Sequence, residues 1–304
     1  MSPPDAVLTS WSEEIMSGLE WERVQSGFSG AIIFKGMQNG YPKIAVKGWP
    51  SHISIERVQE IHGYQISLLG ECVIPVPFEI REKNGTAVFA DDRVWEVSPW
   101  IPGKPCDESP FPPPKRKSAV EGLRKIHTIW KRFGVTNAPC PAVLRRVLLI
   151  DNFRSWHASY ANWPVDPILA TAMTRVPGAL SDTRRQLLPW ADQQVPVQMC
   201  FTDIHRDHLL FYGGEFPGFI DFGAVKPDSP ACDLARLFGE EPITLIAAEA
   251  EYGNLPVGLA GTLATTAPVC NLAAWILRIA RDRENPSNRD AVSTRIAGWV
   301  ERMG

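Results

Sequence analysis

The six cysteines of this 304-residue chain, at positions 72, 106, 140, 200, 232 and 270, are never closer than 32 residues. No C-x-x-C pair is present to seed a thiolate metal site, so reduced core thiols are expected. Basic excess is also lacking. A formal net charge of −3 leaves no electropositive surface of the kind on which nucleic-acid affinity rests, so no nucleic-acid partner is expected. The one basic cluster, Lys115-Arg116-Lys117, reads as a solvated loop. The stretch MSPPDAVLTSWSEE has no basic region followed by an apolar one, which argues against a signal peptide. Gly253 to Leu277 lacks charge, but Pro256, Gly258, Gly261 and Pro268 interrupt it, so a pair of buried helices is expected in place of a membrane span. These absences point to a cytoplasmic protein without membrane insertion.

What is present is an ordinary globular balance, 44% apolar and 21% charged, enough for one large domain or two modest ones. Strand signals dominate the first hundred residues. GAIIFKG and KIAVKGW flank Asn39-Gly40 and read as a hairpin. From Ser54 to Leu69, apolar residues at 55, 58, 61, 66 and 69 fall at helical spacing, with Gly70 as the stop. VIPVPFEI, TAVFAD and RVWEVSPWI read as further strands, and Pro99, Pro102 and Gly103 then break the pattern. Beyond Ser118 the chain turns helical, beginning with AVEGLRKIHTIW. The only later strand pair expected is CFTDIHRDHLLFYGGEFPGFIDFG, with Gly213-Gly214 as its turn. The expected fold class is therefore α+β: a strand-rich N-terminal lobe (1–97), a hinge (98–103) and a mostly helical C-terminal lobe (104–304).

That last segment sets Asp203, His208 and Asp221 in order, with gaps of five and thirteen. Phosphoryl transfer needs little covalent help, so a protein must mainly position the acceptor, neutralise phosphate and hold a divalent cation. Asp203 ends the apolar run QMCFTD, where its carboxylate can accept the proton of an alcohol, a service worth about 10²- to 10⁴-fold. A loop or helix-capping aspartate is the alternative. Asp221 ends GFI before Phe222-Gly223, and its hard oxygens suit magnesium. One hairpin separates the two aspartates, which would bring both to the same end of neighbouring strands.

For nucleotide phosphates, Gly27-Phe28-Ser29-Gly30 can present backbone N–H groups, although an ordinary hairpin turn fits the same residues. Lys47, within KIAVKGW, can aim its ammonium at phosphate. Such a lysine usually needs a glutamate to hold it. Glu56 and Glu60 share a face of the following helix; the choice between them stays open, with Glu60 favoured.

Taken together these motifs resemble those of the aminoglycoside phosphotransferase and choline kinase group, small-molecule kinases with a protein kinase-like fold. The resemblance runs from about Val24 to Leu237. The group's H-G-D-x-x-x-x-N loop corresponds to Phe201-Thr202-Asp203 and His208, its I-D-[FW]-G to Ile220-Asp221-Phe222-Gly223, and its D-L-A to Asp233-Leu234-Ala235. WEVSPWIPG at 95–103 is similar to the hinge and its W-[LI]-P-G signature. The resemblance implies ATP as phosphoryl donor, a hydroxyl on a small molecule as acceptor, adenine against the backbone near Val97 and Ser98, and a metal held by Asp221 and the residue at 208. Two positions depart from the pattern. Phe201 replaces a histidine that braces the loop, and His208 replaces the metal-side asparagine. Imidazole suits Mn²⁺ better than Mg²⁺, so altered metal use is one expectation. A nucleotide-binding pseudokinase is a second reading, and a zinc or manganese hydrolase built on Asp203, His205, Asp207 and His208 a third.

Overall fold

The computed structural model describes residues 2–24, 30–81, 85–159, 167–212, 217–239, 241–252, 255–281, 296–298 and 300. Gly27, Phe28 and Ser29, the Gly213-Gly214 turn and Glu240 lie outside the described residues. By its contacts the chain divides into two units, Met1–Trp130 with His205–Val225, and Lys131–Ile204 with Lys226–Gly304. This differs from the expected chain-order division at 98–103. The helix Pro113–Trp130 and the segment 205–225 group with the N-terminal sheet, because Trp130 donates to the Tyr64 carbonyl and Gly122 lies against the Phe219 ring.

In the first unit, β1 (Glu20–Val24), β2 (Ile32–Gln38), β3 (Tyr41–Gly48), β4 (Val88–Ala90) and β5 (Arg93–Pro99) form an antiparallel sheet of order β1-β2-β3-β5-β4. Asn39 and Gly40 join β2 to β3 with φ of 52° and 80°, the backbone that an Asn-Gly hairpin turn requires. Phe34, Ile44, Val46, Trp95 and Val97 pack on one face with Val7 and Trp11. The alternation of β3 turns Lys47 to the other face, directly opposite Glu96 of β5.

The helix Ile55–Ile66 is capped by the Ser54 hydroxyl, which accepts from Arg57 N–H. Its buried residues are Val58, Ile61, His62, Tyr64 and Gln65, whereas Ile66 and Leu69, expected inside, are exposed. Polar partners set this rotation. His62 meets Thr86 and Glu96, and Gln65 donates to the Pro75 carbonyl. VIPVPFEI is not a strand, since Pro75 and Pro77 lack the N–H groups a ladder needs; only Phe78 N bonds β5, at Val97 O. The segment 205–225 contributes a two-stranded ladder, Leu209–Phe211 with Pro217–Phe219. Phe211 also bridges Lys104 through paired backbone bonds of 3.1 and 2.8 Å. Gly103 permits this approach: its φ is 118°, and a Cβ there would come within 2.9 Å of the Phe211 carbonyl oxygen.

The second unit holds a three-stranded antiparallel sheet that the sequence pattern missed. Gln194–Cys200 lies between Lys226–Asp228 and Thr136–Pro139. Helices Pro141–Ser159, Pro167–Ala191, Pro230–Phe238, Pro242–Tyr252 and Leu259–Arg281 surround it in sequence. The expected pair of helices around Pro268 is one helix, Leu259–Arg281, running through that proline. By length and composition Leu259–Ile279 is apolar enough to cross a membrane, but half of that window is buried, packed against the helices Pro141–Ser159, Pro167–Ala191 and Pro230–Phe238. All six cysteines are free thiols.

Candidate active site

The strand Pro217–Phe219 delivers Ile220 and Asp221 into a turn, and the Ile220 N–H donates to the His208 carbonyl at 2.9 Å. This backbone bond places the two metal-side candidates together. His208 Nε2 lies 3.7 Å from Asp221 Oδ2, and Lys47 Nζ lies 3.6 Å from Oδ1 of the same carboxylate. Asp221 has φ of 60°, in the left-handed region that costs a non-glycine residue about 1–3 kcal/mol. Its own Oδ1 accepts from Gly223 N–H at 3.3 Å, which closes the turn around the strained residue.

Lys47 is not held by Glu60. Arg57 takes Glu60 Oε2 at 2.6 Å and Tyr64 takes Oε1 at 2.8 Å, while Arg57 also reaches the Val225 carbonyl beyond the Asp221 turn. The hydrogen bond from Arg57 lowers the Glu60 carboxyl below its ordinary range, and burial with the Glu60 bond pushes the Tyr64 phenol up to about 12. Glu56, the other candidate, is lowered by backbone and Ser54 hydrogen bonds and has no ion pair among the described residues.

Around Lys47 stand residues that the motif reading did not single out. Its ammonium sits over the Trp49 ring, 3.9 Å from the centroid. The Trp49 indole N–H donates to Glu96 Oε2 at 2.7 Å, and His62 Nε2 meets the same oxygen at 2.6 Å. Thr86 Oγ1 lies 2.6 Å from His62 Nδ1. Burial alone would raise the Glu96 carboxyl, but the His62 bond, the Lys47 charge and the Trp49 bond outweigh it and leave the group below the ordinary range. One sequence signal was available: Glu96 is the only charged residue between Arg93 and Lys104, within a strand that is buried on both faces.

Val97 and Ser98 lie near the end of β5. Both are buried within β5, Val97 in the core and Ser98 opposite Ala45, and the Val97 carbonyl accepts from Phe78 N–H at 2.8 Å. The irregular segment begins after Pro99.

In the second unit, Asp203 follows the strand Gln194–Cys200 as expected, but that strand and the strand before Asp221 belong to different sheets. The hairpin argument for bringing the two aspartates to one sheet end therefore fails. Arg236 Nη2 lies 2.9 Å from Asp203 Oδ1. The loop itself is braced by Asp233, fully buried, whose carboxylate accepts from Phe201 N–H at 2.8 Å and Thr202 N–H at 2.7 Å. Thr202 has φ of 61°, so these two charge-assisted bonds hold a second left-handed residue. Phe201 is buried, in keeping with packing in place of the usual histidine.

Residues 54–261 match the profile of the Phosphotransferase enzyme family. The chain belongs to that family. Solved structures agree on the fold of this phosphotransferase. It is similar to spectinomycin phosphotransferase APH(9)-Ia in complex with ADP and spectinomycin, at TM-score 0.67 and 15% identity, over 93% of this chain and 92% of that one. It is similar to an aminoglycoside phosphotransferase from Alicyclobacillus acidocaldarius, at TM-score 0.62 and 14% identity, over 100% and 95% of the two chains. A third is amicoumacin kinase hAmiN in complex with AMP-PNP, Ca²⁺ and Ami, at TM-score 0.61 and 10% identity, over 98% and 91%. No curated protein sequence matches the chain.

The donor set in this phosphotransferase fits a divalent cation. A carboxylate and an imidazole stand side by side, leaving the remaining positions to phosphate and water. The hydrolase reading finds no such support. Among the described residues of the first unit, His205, Asp207 and His208 do not gather their ligand atoms, and His205 meets His208 ring edge to face at 5.4 Å. Two glutamates of the second unit have structural tasks: Glu249 accepts from Gly258 and Ala260 N–H at the start of a helix, and Glu241 accepts from Thr244.

Proposed function

We propose that this chain is an ATP-dependent phosphotransferase that moves the γ-phosphoryl group onto a hydroxyl of a small molecule. The observation that carries the reading is the Asp221 carboxylate, flanked by Lys47 on one oxygen and His208 on the other. A lysine, a hard carboxylate and an imidazole in one cluster suit a nucleotide polyphosphate with its cation. Lys47 binds the α- and β-phosphates. Asp221 and His208 hold the Mg²⁺ or Mn²⁺, which when bound neutralises charge on the phosphates. Asp203 accepts the proton of the acceptor hydroxyl as its oxygen bonds to phosphorus and ADP departs, and Arg236 fixes the orientation of that carboxylate. Adenine is assigned to the backbone near Val97 and Ser98, at the end of β5 just before the irregular segment.

The acceptor is a small-molecule alcohol, as the spectinomycin and amicoumacin named for the similar structures suggest. We place the reaction in the cytoplasm, where ATP and free thiols coexist. The test is transfer of labelled γ-phosphate from ATP to a panel of aminoglycosides and other polyols, with Mg²⁺ and with Mn²⁺ in turn. Labelled product that disappears in Asp203→Ala supports the reading. ATP binding without transfer to any acceptor would instead mark a nucleotide-binding module that has lost its chemistry.

A further inference from the structure

We infer that Trp49 is the positioning residue for Lys47, performing the task that a helix glutamate performs in protein kinases. The inference rests on the nucleotide-binding reading above. An ammonium on a flexible four-carbon stem must be held if it is to meet phosphate at low entropic cost. The helix Ile55–Ile66 does not hold it: Glu60 belongs to Arg57 and Tyr64, and the residue this helix buries against β5 is His62.

The carboxylate directly across from Lys47 in the sheet is Glu96, its cross-strand partner on β5. The ammonium makes no ion pair with it. An indole stands in between, with three contacts that each serve the lysine. Its ring face lies under Nζ at 3.9 Å. Its N–H donates to Glu96 at 2.7 Å, and donation to an anion enriches the ring in electrons, which strengthens attraction to a cation on its face. Its edge adjoins the Asp221 turn, where a Cβ on Gly223 would come 3.4 Å from Trp49 and 3.3 Å from Asp221 Oδ1. Glu96 is itself fixed by His62, and His62 by Thr86. The negative charge of a helix glutamate is thus delivered from the sheet, through an aromatic ring, and the ammonium is aimed at Asp221.

The test is a double-mutant cycle on the full chain, reading MgATP affinity by calorimetry and folding by thermal melting. Trp49→Leu should weaken MgATP binding about 3- to 30-fold, the range of a cation–π contact, and Trp49→Phe should weaken it less. In a Lys47→Met background, Trp49→Leu should cause no further loss, because the ring then has no ammonium to hold. Unchanged affinity in Trp49→Leu, or the same fold loss in both backgrounds, would overturn the inference while leaving the nucleotide reading intact. Wild-type affinity in Lys47→Met would instead overturn that reading, and this inference with it. If Trp49→Leu does not fold, Trp49→Phe carries the cycle.

Discussion

Lys47 Nζ lies 3.6 Å from Oδ1 of Asp221, so the cation proposed for phosphate and the carboxylate proposed for the metal in the first unit occupy one another. The Asp221 carboxylate is half-exposed and the Lys47 side chain mostly buried, so the pair is open to competition by ligands of higher charge from the carboxylate side. A polyphosphate with its cation supplies both: phosphate for the ammonium and metal for the carboxylate. Asp221→Asn removes the metal-side charge with little change of shape. Metal-supported transfer should fall by about 10³-fold or more, while metal-free ATP binding, measured by calorimetry, should change little. Transfer within tenfold of wild type would remove Asp221 from the metal site.

His208 shares Asp221 with Lys47, and its imidazole stands where an asparagine oxygen is usual. His208→Asn replaces a borderline nitrogen donor by a hard oxygen. The ratio of Mn²⁺- to Mg²⁺-supported initial rates should fall by at least about threefold. An unchanged ratio would assign His208 to the loop alone.

Much of this was legible in the sequence. Asn39-Gly40 between alternating strands and the helical spacing after Ser54 each depend on local chemistry. The misses share another cause. Thr136–Pro139 and Lys226–Asp228 are short, polar and proline-containing, and become strands only because Gln194–Cys200 offers an edge on each side. Ile66 and Leu69 followed helical periodicity yet lie outside, because His62 and Gln65 had buried hydrogen-bond partners far away in sequence. The lysine's surroundings were hidden for a similar reason. A glutamate one helical turn from another is visible in sequence, whereas Glu96 reaches the Lys47 environment only through strand register.

Arg236 lies one helical turn beyond Asp233 in sequence and touches Asp203 at 2.9 Å, so one helix carries both the brace of the loop and the partner of the proposed base. Asp203→Ala should abolish transfer, about 10²- to 10⁴-fold, with ATP affinity preserved. Arg236→Met should lower kcat by about 10- to 100-fold with the KM for ATP nearly unchanged, and Arg236→Lys should recover part of it. Equal losses in kcat and in ATP affinity would show that Arg236 supports the fold of the loop and not the aim of the carboxylate.

Glu96 gives a pH dependence with a definite sign. Its folded carboxyl lies below the ordinary range even though burial opposes this, because His62, Lys47 and Trp49 favour the anion. A group depressed on folding stabilises the protein above its unfolded value, about 4.3, and that contribution is lost as pH falls through the folded value. Wild type should therefore melt higher than Glu96→Gln at neutral pH, and the gap should narrow below about pH 4 as the carboxyl of the wild type takes up its proton. Glutamine keeps an acceptor for the Trp49 N–H, so the comparison isolates the charge. Thermal melting of both proteins from pH 7 to pH 3 decides the matter: a gap that stays constant across the range would mean that the buried charge contributes nothing and that hydrogen bonding alone holds Trp49 and His62 in place.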